Sequence, residues 1–267
     1  MSAPDPHPGP LAAALGGVRV AAVVALLIVA TPVLLLSALV PVRVGGVRLI
    51  LRAGQAVCRA FLWVCGVRRV TDGAAELRAH CGMVFFNHPS FLDPLVLMAA
   101  VPVRFLGAAG VRRIPFVGPM AHAAGTLFVD RGDAESRAAA RASMRAALAD
   151  GAAPVALAPE GGIWHGPGVG PLRRGAFEVA ADAQADVLLV ALSYTDREHL
   201  RWDAGEWLLA PLWRLCARAT PFVASLSVVG SVTPGPDTVS ASAHDARSRL
   251  RSALGLVSAA RPVHVSA

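Results

Sequence analysis

His88 and Asp93, in the run Asn87-His88-Pro89-Ser90-Phe91-Leu92-Asp93, are the two residues of this chain whose types and spacing best suit chemistry. The histidine follows the apolar stretch Met83-Val84-Phe85-Phe86, which predicts a short buried strand, and the aspartate falls where the pattern turns helical. A strand-to-helix turn at the carboxyl edge of a sheet holds such residues rigidly and exposes them. Folded back within the first helical turn, Asp93 accepts the Nδ1 proton of His88 and leaves Nε2 free and more basic, a general base with its orienting group. The pair alone also fits a plainer role, a helix-capping histidine beside a first-turn acid favoured by the helix dipole.

Three more turns follow predicted strands. Arg131 emerges just after Val129-Asp130, suited to a two-pronged hold on phosphate or carboxylate. Ala158-Pro159-Glu160-Gly161-Gly162 supplies glycines that let backbone N–H groups come close to a ligand. Leu172-Arg173-Arg174-Gly175 sets guanidinium groups at a helix start, a good anion site. Each alone fits an ordinary turn; together they describe one pocket with a base, anion binders and oxyanion donors.

The elements that must position these turns alternate from residue 72 onward, which predicts an α/β fold with a central sheet flanked by helices. Strands are expected over 83–86, 103–106, 126–129, 155–158, 187–193 and 222–232. Helices are expected over 91–100, 134–149, 176–183, 207–217 and 245–257. Arg137, Arg141 and Arg145 form one row on the second helix and read as a solvated face, with Gly151 as its cap. The segment 233–267, rich in Pro, Ser and Ala, points to no function.

Composition sets the surroundings. Of the 267 residues 55% are hydrophobic, with mean hydropathy +0.54, and this points to membrane contact. All 25 basic residues are arginine, which excludes a lysine Schiff base and a phosphate-binding P-loop. Between Asp5 and Asp72 the chain carries Arg19, Arg43, Arg48, Arg52, Arg59, Arg68 and Arg69 and no acid. The basic segment is also the most apolar one, so its partner is an anionic bilayer surface and not nucleic acid.

Within it, Val20 to Val42 is uncharged and long enough to cross a bilayer core, with Pro32 as a kink or re-entrant bend. The run is too long for a cleaved signal peptide and reads as a retained anchor, with the arginines behind it favouring a cytoplasmic position for the rest. Residues 44–67 predict an amphipathic helix, interfacial or else an ordinary core helix; at about 100° per residue Arg48, Arg52, Gln55 and Arg59 share one stripe that at an interface would reach headgroups. The expected division is a disordered tail over 1–17, a membrane anchor over 18–70 and a catalytic domain over 71–267. Cys58, Cys65, Cys81 and Cys216 have no metal-like spacing and read as reduced thiols. Cys81 precedes its strand, at the end opposite His88, and no Gly-x-Ser-x-Gly elbow supplies a hydrolase nucleophile.

The ordered blocks resemble the glycerolipid and lysophospholipid acyltransferase family, typified by 1-acylglycerol-3-phosphate acyltransferase. They are His88-x4-Asp93, Arg113-Ile114-Pro115-Phe116-Val117-Gly118 through Gly125 to Arg131, Pro159-Glu160-Gly161 with Arg173-Arg174-Gly175, and the apolar strand 187–192. The resemblance implies direct acyl transfer from acyl-CoA or acyl-carrier protein to a lysophospholipid hydroxyl, with no metal or redox cofactor. It assigns His88 as base, Asp93 as its orienter, N–H groups around Gly161 to the oxyanion, and Arg131 with Arg173 or Arg174 to the acceptor headgroup. Glu160 would orient an arginine or hold a hydroxyl.

Where the family continues with threonine, this chain reads Gly162-Ile163-Trp164 and then Gly166 to Gly170, and Ala158 replaces an aromatic. These departures bear on the headgroup rather than the reaction. Residues 205–214 are similar to the branch that includes lyso-ornithine-lipid acyltransferases. A lyso-ornithine-lipid acceptor, a thioesterase and a non-catalytic lipid-binding protein are the alternatives.

Overall fold

In a computed structural model, which describes residues 9–151, 153–197, 200, 202 and 205–259, the chain forms a mixed seven-stranded sheet with helices on both faces. The strands are β3 (Val67–Asp72), β4 (Met83–Phe86), β5 (Arg104–Ala108), β6 (Leu127–Val129), β7 (Val155–Leu157), β8 (Val187–Tyr194) and β9 (Phe222–Val232). They lie in the order β3-β9-β8-β4-β7-β5-β6, and β1 (Arg43–Val44) pairs with β2 (Val47–Arg48) in a separate small hairpin. From β8 to β6 neighbouring strands are parallel, whereas β9 runs antiparallel to β8. The carboxyl ends of β4, β7, β5 and β6 therefore share one edge, and ligands bind at such an edge in open α/β sheets.

Central β4 is buried on both faces, which explains its unbroken apolar sequence. Val84 and Phe86 join one core with Leu92, Val96 and Leu97. Met83 and Phe85 join the other, where Phe85 meets Phe177 edge to face at 4.9 Å. The helices over the sheet include α4 (Asp93–Ala100), α6 (Ala134–Asp150), α7 (Arg174–Asp182), α8 (Leu209–Cys216) and α9 (Val239–Ala259), with the shorter α3 (Ala74–Ala79) and α5 (Val117–Ala123) between strands. Helix α6 starts where the Asp133 carboxylate accepts the N–H groups of Glu135 and Ser136, both at 3.1 Å.

The N-terminal segment departs from expectation in three ways. Helix α1 runs over Pro10–Leu39, so residues 10–17 are helical instead of tail; residues 1–8 lie outside the described residues. Proline in the first turn, followed by Ala and Leu, starts a helix readily. Helix α2 (Leu49–Val64) begins at 49 rather than 44, because Gly45 and Gly46 take positive φ and close the β1–β2 hairpin. The expected boundary at residue 70 cuts through β3, an edge strand whose Arg68 and Arg69 hid it from an apolar-run reading.

Part of the predicted stripe also faces the other way, Gln55 and Arg59 turning inward while Arg52 donates to the Val44 carbonyl. Gln55 is buried, and Gln55, Arg59 and Arg69 all donate to the Ala99 carbonyl at the end of α4, at 3.4, 2.8 and 3.4 Å. Cations suit a helix C-terminus, so Arg59, with Gln55, docks α2 on the domain beside Arg69 of β3, while Trp63 points outward. Helix α1 is held along its length: Gly16 packs on Ala217 and Trp213, Arg19 donates to the Cys216 and Arg218 carbonyls at 3.0 and 2.7 Å, and Leu34 packs with Ile50, Leu51 and Met98. Its other face, with Val18, Val24, Ile28, Val29 and Leu36, is exposed.

Candidate active site

The carboxyl edge of the sheet opens into an apolar cavity of about 880 Å³. His88, two residues beyond β4, stands on its wall; Asp93, the first residue of α4, lies behind it with no exposed surface. Nδ1–H of His88 donates to Asp93 Oδ2 at 2.6 Å, and the Ser90 N–H donates to the same oxygen at 2.9 Å. The Tyr194 hydroxyl, from the end of β8, donates to Oδ1. Burial pushes the Asp93 carboxyl above its ordinary value, against the pull of His88, Tyr194 and Ser90. Among the described residues no group hydrogen-bonds His88 Nε2, which leaves it open to act as a base.

Asn87 carries a role that its place in the motif does not announce. Buried at the end of β4, its side-chain amide donates to the Leu192 carbonyl at 2.9 Å and accepts the Leu192 N–H at 2.7 Å. It thus imitates one more strand residue and sets where β4 stops and the His88 turn begins.

Glu160 sits three residues after β7 and is 9% exposed. Its Oε2 accepts the His88 N–H at 2.5 Å and its Oε1 the Gly170 N–H at 2.6 Å. Here the structure differs in part from expectation: both carboxylate oxygens are engaged by backbone and tie two loops together, and it is the Glu160 carbonyl that accepts from an arginine, Arg173 Nε at 3.3 Å. The loop between them is fixed further by the Trp164 N–H on the His88 carbonyl at 2.8 Å and by Arg197, which donates to the Trp164 and Gly166 carbonyls. Burial raises the Glu160 carboxyl, offset by the two N–H groups.

Arg131, Arg173, Gly161, Gly162 and Ile163 line the cavity beside His88. Partial burial first, and then the Arg173 charge, lower the Arg131 guanidinium below its usual value, as two cations facing one space must. Gly161 has φ +83, and a Cβ there would fall 2.3 Å from Arg173 Nε. The Gly161 N–H itself is spent on Ala158 O at 3.1 Å. Arg174 opens α7 and does not line the cavity, so of the two arginines there only Arg173 is brought to the site.

The α6 row is more than a solvated face. Arg137 and Arg141 line the cavity too, with Arg137 donating to the Arg131 carbonyl at 2.7 Å and Arg141 paired to Glu178 at 3.1 Å. The rest of the wall is apolar and includes Val23 and Leu27 of α1, Phe61 of α2, Phe105, Met120 and Met144. Cys81 is exposed before β4, away from His88, as its sequence position predicts.

Residues 69–195 match the Acyltransferase family. The 1-acyl-sn-glycerol-3-phosphate acyltransferase of Neisseria gonorrhoeae is 32% identical over 139 residues, 50% of this chain and 53% of that protein. The lyso-ornithine lipid O-acyltransferase of Rhodobacter capsulatus is 34% identical over 82 residues, 31% of this chain and 29% of that one. The chain thus spans about half the length, or less, of these curated relatives. In fold it resembles the 1-acyl-sn-glycerophosphate acyltransferase of Thermotoga maritima, with TM-score 0.63 and 17% identity over 80% of this chain and 81% of that one. The stretch that matches the Acyltransferase family, residues 69–195, holds the His88–Asp93 pair and the Arg131, Glu160 and Arg173 turns, and the curated relatives similar to it are acyltransferases by name.

Proposed function

We propose that this protein moves a fatty acyl group from acyl-CoA or acyl-carrier protein to the free hydroxyl of a lysophospholipid, with 1-acylglycerol-3-phosphate as acceptor and phosphatidate as product. The observation that carries the reading is the 2.6 Å His88–Asp93 contact on the wall of an apolar cavity that Arg131 and Arg173 also line. His88 Nε2 takes the acceptor's hydroxyl proton while Asp93 steadies the imidazolium that forms. The oxygen attacks the thioester carbonyl, the C–S bond breaks, and His88 returns the proton to the departing sulfur. Gly162 and Ile163 line the cavity, and their N–H groups make no hydrogen bond among the described residues, so they are the donors offered to the oxyanion, in place of Gly161. Arg131 and Arg173 hold the acceptor's anionic headgroup.

The outer face of α1 rests in the lipid of the cell membrane, with the domain on the cytoplasmic side where the thioester donors are. Helix α1, long and apolar enough to cross a bilayer, packs on the domain from Gly16 to Leu34 and holds it at the membrane. Lyso-ornithine lipid is the second acceptor to test, since a curated relative acts on it by name and the loop after Gly161 departs from the family pattern. The deciding experiment offers labelled acyl-CoA and acyl-carrier protein to lysophosphatidic acid and lyso-ornithine lipid in parallel, with His88→Ala as control. A product from one acceptor that vanishes in the variant identifies the headgroup; no His88-dependent product from either overturns the reading.

A further inference from the structure

Tyr194 touches the catalytic pair from a strand that supplies nothing else to it. We propose that Tyr194 is a positioning residue, which tunes the His88–Asp93 base by holding the second oxygen of Asp93; the inference rests on the acyl-transfer reading above. Tyr194 is the last residue of β8, paired with Ala224 of β9. Its ring stacks on Phe222 with centroids 5.8 Å apart, and the Arg218 guanidinium lies over Phe222 at 5.2 Å, so the phenol's direction is set by packing. The hydroxyl donates to Asp93 Oδ1, while Oδ2 serves His88 and Ser90. Among the described residues no other group donates to Oδ1, and Asp93 has no exposed surface through which water could replace the hydroxyl. Burial and the Asp93 charge keep the phenol protonated, and therefore a donor, throughout the working pH range.

The other ionisable groups around the pair act at one remove. Glu160 holds the His88 backbone, Arg218 is paired with Asp196 at 2.9 Å behind Phe222, and Arg131 and Arg173 face the pair across the cavity. None of them hydrogen-bonds Asp93. A donor on a carboxylate lowers its affinity for protons. With the Tyr194 donor gone, Oδ1 has no partner, the carboxylate pulls harder on the His88 proton, and the pair as a whole keeps its extra proton to higher pH, whichever group carries it.

The test is the pH profile of kcat/KM for acyl transfer by the full chain in lipid nanodiscs. Tyr194→Phe retains the stacked ring and removes the donor; its acid limb is expected to move up by about one pH unit or more, with the lost rate recovered at high pH. The chain has a single tyrosine, so growth on 3-fluorotyrosine changes Tyr194 alone. The fluorinated phenol is the stronger acid and the stronger donor, and its acid limb is expected to move down. Limbs that stay at the wild-type position in both proteins overturn the proposal, and should Tyr194→Phe not fold, the fluorinated protein decides it. Transfer that survives His88→Ala overturns the base assignment together with this inference. Transfer that dies with His88→Ala while both limbs stay put overturns the Tyr194 role alone.

Discussion

Glu160→Ala separates a carboxylate that holds substrate from one that holds the protein. In the structure each oxygen accepts one backbone N–H, from His88 and from Gly170, and truncation leaves both donors without a partner. An unsatisfied buried donor costs about 1–3 kcal/mol. Gly170 is buried while His88 is half-buried and open to water, so the sum falls toward about 2–4 kcal/mol. For a chain of this size each kcal/mol lowers Tm by about 2–4 °C, giving an expected fall of about 5–15 °C. The His88 turn loses its tether as well, and a displacement of about 1 Å at a base costs on the order of a hundredfold in rate. The expected variant melts early, turns over slowly and keeps a near-normal acceptor KM, as read by circular dichroism and initial rates in nanodiscs. A Glu160→Ala protein that melts with the wild type and loses activity only through acceptor KM would refute the reasoning.

Asp93→Asn keeps the volume but cannot accept from His88, Ser90 and Tyr194 together, and kcat is expected to fall by about 10³–10⁴, as when a base loses its tautomer-fixing carboxylate; a fall under about tenfold contradicts the pair. Burial raises the Glu160 carboxyl above its ordinary 4.5, so its share of stability is present below that pH and lost as pH rises through the folded value. Melting curves at pH 4.5 and 7 are therefore expected to show the deficit of Glu160→Gln narrowing at the higher pH. Val24→Glu with Ile28→Glu puts two charges on the exposed face of α1, and vesicle flotation is expected to show about a tenfold or greater loss of binding.

The sheet was legible where strands are buried on both faces: the apolar runs at 83–86 and 187–193 fall on β4 and β8. Strand β3 escaped because its edge position admits Arg68 and Arg69, and α3 and α5 because six or seven residues show too little of a helical period. His88, Asp93, Arg131, Glu160 and Arg173 were legible because each stands just past a strand or at the start of a helix. What each does was less so. Glu160 looks like a ligand-binding acid until its two backbone partners are seen. The Tyr194–Asp93 bond joins residues 101 apart, and Gln55 reads as an outward polar residue because no local pattern reveals the α4 carbonyl waiting for it.

Helix α1 is a shared wall. Val23 and Leu27 face the cavity beside His88 while Val24 and Ile28, their immediate neighbours in sequence, face outward, so the thickness of one helix separates the cavity from the surroundings. Cutting the chain after residue 40 to obtain a water-soluble enzyme would not free a finished catalyst. It would unroof the chamber, strip the cover from Ile50, Leu51 and Met98, and leave the carbonyls at the end of α8 without Arg19.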